Sequence, residues 1–161
     1  MLKRVEAGAA VLMAFEQVGG TEAALNMAKD YSLDRYAFGR QIGSYQAIKH
    51  RLADMYVKLE LARSNAYYGA MILSEDSAEL ELAAASARIS ATEAYRFAAQ
   101  ECIQVHGGIG FTWEANPQFH YRAQNFWHWL WAVPADGKTG SYQSLRKVTW
   151  LDAALLVSAS I

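Results

Sequence analysis

The first proline in this chain is Pro117, and the second, Pro134, is the last. Everything before Pro117 is free of the residue that most reliably breaks a helix, through its missing N–H and its ring clash with the preceding turn. That stretch is also rich in Ala, Leu, Glu and Met, which are the strong helix formers. From about Val5 to Tyr31 the main interruption of the pattern is the pair Gly19-Gly20. A glycine inside a helix costs about 1 kcal/mol relative to alanine, so close packing against a neighbour is the expected reason for the pair. A second helix is expected from about Tyr45. Its apolar positions Ile48, Leu52, Met55, Leu59, Ala62, Ala66 and Leu73 recur at three, four and seven residues, the helical period. Ser74-Glu-Asp-Ser77 is a polar break, with Ser77 and Glu81 as a candidate cap. A third helix follows over about 78–105, carrying a small-residue stripe of Ala83, Ala87, Ala91, Ala94 and Ala98. A fourth is expected over about 118–130.

Helices of about 25 residues span close to 40 Å. Three such rods and a shorter fourth, joined by short loops, predict an all-α, up-and-down four-helix bundle. No alternating apolar run or hairpin signal is visible, so strands are not expected before residue 132. The bundle is expected to occupy 1–131. Residues 132–161 form a separate tail that includes the 11-residue apolar stretch from Leu151 to Ile161.

Composition narrows the function. The chain has 161 residues, is 53% hydrophobic and carries a formal charge of −1. That is about one domain with enough apolar residues for a core. Its fifteen Lys and Arg are scattered, which gives no electrostatic footprint for nucleic acid. The single cysteine, Cys102, excludes an internal disulfide and fits a reducing compartment. No secretory leader is visible after Met1, and no apolar run reaches the roughly 18 residues needed to cross a membrane. The expected location is the cytoplasm. His106, His120 and Cys102 do not stand at metal-ligand spacing, so no metal site is expected.

Two segments carry chemistry. Arg35-Tyr-Ala-Phe-Gly-Arg-Gln-Ile-Gly-Ser-Tyr-Gln46 sets a guanidinium three residues before Phe38-Gly39 and ends in a carboxamide at the start of a helix. Gln104-Val-His-Gly-Gly-Ile-Gly-Phe111 sets Gln104 and His106 just ahead of Gly107, Gly108 and Gly110. An arginine fork suits phosphate, and glycine lets a backbone approach a ligand closely. Plainer readings stand beside these. Arg35 would also serve as a helix C-terminal cation, and Gly107-Gly108 as a helix stop with a left-handed cap. A Gly-x-Gly pattern suggests dinucleotide folds, but here a helix precedes it instead of the strand that a Rossmann unit needs.

The stretch from Asp34 through Arg35, Phe38-Gly39 and Gln46 to Met55 resembles the C-terminal helical domain of the acyl-CoA dehydrogenases. So do Gln104-Val-His-Gly-Gly-Ile-Gly-Phe-Thr-Trp-Glu114, His120-Tyr-Arg-Ala123 and Glu16-Gln-Val-Gly-Gly-Thr-Glu-Ala-Ala-Leu25. The resemblance covers about residues 5–130. It implies an FAD-dependent oxidoreductase that dehydrogenates an acyl-CoA thioester at its α,β carbons, with an electron-transferring flavoprotein as electron acceptor and with homo- or hetero-oligomeric assembly. It further implies that Arg35 meets the FAD pyrophosphate, that Phe38 lies beside the cofactor and that Gln46 bonds near the adenosine end. Gln104, Val105, His106, Gly107 and Gly108 would contact an FAD held mainly by a partner subunit.

Two departures from the family pattern set expectations of their own. The N-terminal helical and middle β-domains of the family do not precede this segment, so the chain alone is not expected to turn over substrate. Where many members carry the catalytic carboxylate, about eight residues after the Arg-Ala pair, this chain has Leu130 and Trp131, which cannot accept a proton. In members that place the base on the first helix of the domain, the equivalent position falls near Ala9. Glu6, one turn away, is the nearest candidate base, and it equally suits the helix dipole. The alternative is a non-catalytic subunit that supplies FAD-interface and oligomer contacts to a base-bearing chain.

Overall fold

The computed structural model describes residues 2–75 and 77–132, with side chains given as far as Phe126. Four helices account for nearly all of it: α1 (Leu2–Asp34), α2 (Gln46–Glu75), α3 (Leu80–His106) and α4 (Pro117–Ala132). The first three run up, down and up. The connection after α1 and the end of α3 therefore lie at the same end of the bundle. The tail expected over 132–161 lies outside the described residues, apart from the backbone of Ala132.

The helices pair through small residues. α3 is the central rod, packed against α1, α2 and α4. Its predicted alanine stripe is buried throughout, with Ala87, Ala91 and Ala98 wholly out of solvent. In mid-bundle Ala87, Ala91 and Ala94 meet Ala14 and Val18 of α1 and Leu59, Ala62 and Ala66 of α2. Methyl-sized side chains let helix axes come close, at the short end of the 8–10 Å range of packed pairs. Gly69 goes further, because a Cβ there would stand 3.2 Å from Val11 and 3.4 Å from Ala87. Larger residues close the ends. Ile72 and Leu80 do so at one, and Met55 and Val105, with Tyr31, Ile42, Ile48 and Leu52, at the other.

The Gly19-Gly20 pair divides in two. A Cβ on Gly20 would stand 2.7 Å from the Tyr95 ring, which is the close approach expected of it. A Cβ on Gly19 would meet nothing within 4 Å, so packing does not account for that glycine. The Tyr95 hydroxyl lies 3.3 Å from His120 Nδ1, which ties α4 to the same spot.

The cap expected at α3 is corrected in part. The Ser77 hydroxyl accepts the Glu79 N–H at 3.2 Å, ahead of the helix. Glu81 does not close a box with it and instead receives Lys3 from α1 at 2.8 Å. The stripe also hides a charge. Arg88 is 5% exposed and donates to Gln17 Oε1 and to the Thr92 hydroxyl inside the α1–α3 seam. Thr92 returns a bond to the Arg88 carbonyl at 2.7 Å. Burying a guanidinium is tolerable only with such partners.

Candidate functional site

Strands were not expected before residue 132, yet the link from α1 to α2 opens with a minimal hairpin. β1 (Tyr36–Ala37) pairs antiparallel with β2 (Arg40–Gln41), Tyr36 opposite Gln41 and Ala37 opposite Arg40. The two turn residues are Phe38 and Gly39, at φ 53° and 79°. Positive φ at both positions is what the right-handed strand twist asks of a two-residue turn, and Asn-Gly is its usual sequence. Phenylalanine in that role is strained and is also 98% exposed. Neither the strain nor the exposure of Phe38 stabilises the fold of this chain.

The rest of the segment is fastened down. The Tyr45 hydroxyl donates to the Ala37 carbonyl at 3.0 Å, and the Arg40 guanidinium covers the Tyr45 ring at 3.8 Å. Ile42 N–H donates to the Arg35 carbonyl at 2.8 Å, and a 3₁₀ turn over Ile42–Ser44 leads into α2. Gly43 is pressed on the last turn of α1, where a Cβ would stand 2.9 Å from Ser32 Oγ. Arg35 itself is exposed, and Gln46 is the exposed first residue of α2, as expected.

The glycines after α3 serve separate ends. Gly107, at φ 65° and ψ −142°, stops the helix in a conformation reserved for glycine. This is not the left-handed cap, whose ψ is near +47°. Gly108 is exposed, with open space where a Cβ would stand. Gly110 is packed, with a Cβ position 2.9 Å from the Ile103 carbonyl. A 3₁₀ turn over Gly107–Phe111 follows, presenting Phe111 and, just beyond it, Trp113, with Arg122 of α4 over the Trp113 ring at 4.5 Å.

Gln104 is exposed in the last turn of α3. The side chains of Val105 and His106 are turned inward, at 5% and 9% exposure. His106 Nδ1 lies 2.8 Å from the Cys102 carbonyl, to which its N–H donates, and its ring stacks on Tyr31 of α1 with centroids 4.1 Å apart. Burial pulls the His106 pKa below its ordinary value, so the ring is neutral at pH 7. Burial likewise pushes the Cys102 thiol up to about 12, which leaves it without nucleophilic character.

The two sequence segments are therefore brought together at one end of the bundle. Arg35, Phe38, Gln46 and Gln104 are exposed there, and the Gly107-Gly108 backbone lies open beside them. Glu6 does not join them. It is exposed in the first turns of α1 beside Lys3, about 43 Å along the helix from Arg35 at 1.5 Å per residue. Leu130 and Trp131 fall in the last turn of α4, and their side chains lie outside the described residues.

Residues 7–132 match the family model of the acyl-CoA dehydrogenase C-terminal domain. The chain belongs to this family. Its members are FAD-dependent oxidoreductases. IpdE2, an acyl-CoA dehydrogenase of Mycobacterium tuberculosis, is 43% identical over 114 residues, which are 71% of this chain and 34% of that protein. Among solved structures, butyryl-CoA dehydrogenase from Megasphaera elsdenii superposes with a TM-score of 0.77 at 29% identity, over 93% of this chain and 36% of that one. A chain of the ChsE4–ChsE5 complex from Mycobacterium tuberculosis gives 0.76 at 26% identity, over 90% and 37%. The chain thus spans about a third of the length of these relatives.

The residues present fit FAD. An exposed guanidinium and accessible backbone suit a pyrophosphate dianion. Two exposed carboxamides can bond a heterocycle or ribose, and Phe38 offers an apolar face. Sequence reasoning missed Tyr31, Arg40 and Tyr45, which hold this surface in shape. An aromatic four residues before Arg35 was the available signal for Tyr31.

Proposed function

We propose that this chain is the flavin-facing C-terminal part of an acyl-CoA dehydrogenase that introduces an α,β double bond into an acyl-CoA thioester. The observation that carries the reading is the joint exposure of Arg35, strained Phe38, Gln46 and Gln104 beside the open Gly108 backbone. In this reading Arg35 holds the pyrophosphate, Phe38 covers the cofactor, and Gln46 and Gln104 bond its polar edges. Gly107 and Gly108 contribute accessible backbone. Because the Val105 and His106 side chains are buried, any contact they make falls to their backbone. FAD, when bound, supplies two-electron redox chemistry, and an electron-transferring flavoprotein is the natural acceptor. The remaining pocket walls come from segments outside this chain, supplied in a homo- or hetero-oligomer.

A second reading has its own observation. Leu130 and Trp131 stand where the family's base is expected, and a relative of similar fold occurs in a two-chain complex. A non-catalytic subunit that completes the flavin site of a base-bearing chain would look like this. Under the first reading Glu6 is the candidate base, and its distance from Arg35 requires the two residues to address different flavins of the assembly.

Arg35→Ala separates function from fold. In the flavin-bearing assembly it should weaken FAD binding at least about tenfold, the loss of roughly one charge-assisted pair, with helical content unchanged. Undiminished flavin retention would remove Arg35 from the site. In the same assembly Glu6→Gln should abolish turnover with flavin retained if Glu6 is the base. Unchanged turnover favours the second reading.

A further inference from the structure

The two flavin-facing segments belong to different helices, and one residue touches both. Tyr31 lies in the last turns of α1, four residues before Arg35, and its carbonyl accepts the Arg35 N–H at 2.9 Å. Arg35 in turn accepts the Ile42 N–H at 2.8 Å, so the hairpin hangs from that same residue. The Tyr31 ring points the other way, onto His106, with centroids 4.1 Å apart and 22° between planes. His106 is the final residue of α3 and is bonded directly to Gly107. Its other constraint is the Nδ1 bond to the Cys102 carbonyl, one turn down. The imidazole is thus held in one orientation by its own helix and pressed by α1 across a flat face.

The stack has no counterpart in the mid-bundle. There α1 and α3 meet through alanines and through the bonds of Arg88 and Thr92 to Gln17, not through stacked rings. A stacked ring pair resists both sliding and tilting, because it favours a defined offset and plane angle beyond what area burial provides. Tyr31 also borders the cluster of Ala28, Met55, Ala98, Cys102 and Val105 that closes this end of the core. It is therefore anchored below and bonded on two sides.

We propose that Tyr31 is a positioning residue that fixes the arginine segment and the glycine segment at one separation, so that both meet a single flavin. This rests on the flavin reading above. Stacking needs the ring and not the hydroxyl, which gives a conservative variant that keeps the role. Leucine fills part of the volume but offers no face.

Amide hydrogen exchange on the full chain reads the coupling without any cofactor. Tyr31→Leu should speed exchange in both segments, 35–41 and 107–110, by about tenfold or more, while α3 amides around Ala91 keep their rates. Tyr31→Phe should behave as wild type. Loosening of one segment only, or of neither, overturns the proposal. In the flavin-bearing assembly, Tyr31→Leu should raise the FAD dissociation constant at least about tenfold and Tyr31→Phe should leave it within about twofold. Equal retention by both variants also overturns it. A wild-type assembly that carries no flavin defeats the flavin reading itself. The exchange data distinguish that failure from a failure of Tyr31 to couple the segments.

Discussion

The middle of the bundle and its loop end are built on opposite terms. In the middle, α3 offers Ala87, Ala91 and Ala94 to Ala14, Ala62 and Ala66. At the loop end Phe38 stands 98% exposed on a strained turn, with Phe111 and Trp113 exposed nearby. The middle is closed by small residues, so it tolerates almost no added volume. The loop end keeps Phe38 exposed on a strained turn, and the Tyr45–Ala37 and Ile42–Arg35 bonds hold that turn in place. Such a surface makes sense when its partner comes from outside.

The largest expected effect tests the middle. Ala91→Leu forces a branched side chain into a seam with no space and should cost about 3 kcal/mol, at the upper end for overpacked cores. Thermal or urea denaturation measures it. A cost near zero would mean that the helices are not in close contact. The opposite kind of change at the loop end, the truncation Phe38→Ala, should leave stability unchanged or slightly raised, because it removes strain along with an exposed ring.

A smaller effect comes from the glycine pair in α1, which tests closeness at single-residue resolution. Gly20→Ala drives a methyl into the buried Tyr95 ring and should destabilise by about 1–3 kcal/mol. Gly19→Ala meets open space and should stabilise by about 0.5–1 kcal/mol through helix propensity. Opposite signs at adjacent positions are the signature sought. The same sign at both would place Tyr95 elsewhere.

The smallest effect is a pH slope. Burial lowers the pKa of both His106 at the loop end and His120 against Tyr95, from an ordinary value of 6.5. The unfolded chain then binds more protons than the folded one near and below that value, so stability rises with pH. It is fully present above 6.5 and is lost as pH falls below it. Urea midpoints at pH 7.5, 6.5 and 5.5 should fall in that order, and His120→Asn should flatten the trend. A flat wild-type profile would mean that neither ring is buried.

The helices were legible because the absence of proline before Pro117 and the three-and-four spacing of apolar residues both act along the chain. The alanine stripe foretold close packing for the same reason. What escaped the sequence depends on contacts across it. The hairpin was hidden because Phe38-Gly39 takes a turn usually written Asn-Gly. Gly19 and Gly20 look alike until Tyr95 is placed beside one of them. Arg88 reads as a surface charge until Gln17 and Thr92 surround it inside the seam. The Arg35, Phe38 and Gln46 segment stood out through residue chemistry and family resemblance, and its exposure at the loop end agrees with the proposed cofactor surface. The inward turn of His106 was not legible, because it depends on the stack with Tyr31.

The central claim is that the loop end of this bundle is a flavin surface. An absorption spectrum of the chain, purified alone and together with the polypeptide that completes its pocket, tests it most directly. The account predicts bound FAD in stoichiometric amount in the joint preparation, and its loss on Arg35→Ala. A colourless joint preparation in the presence of added FAD would contradict it.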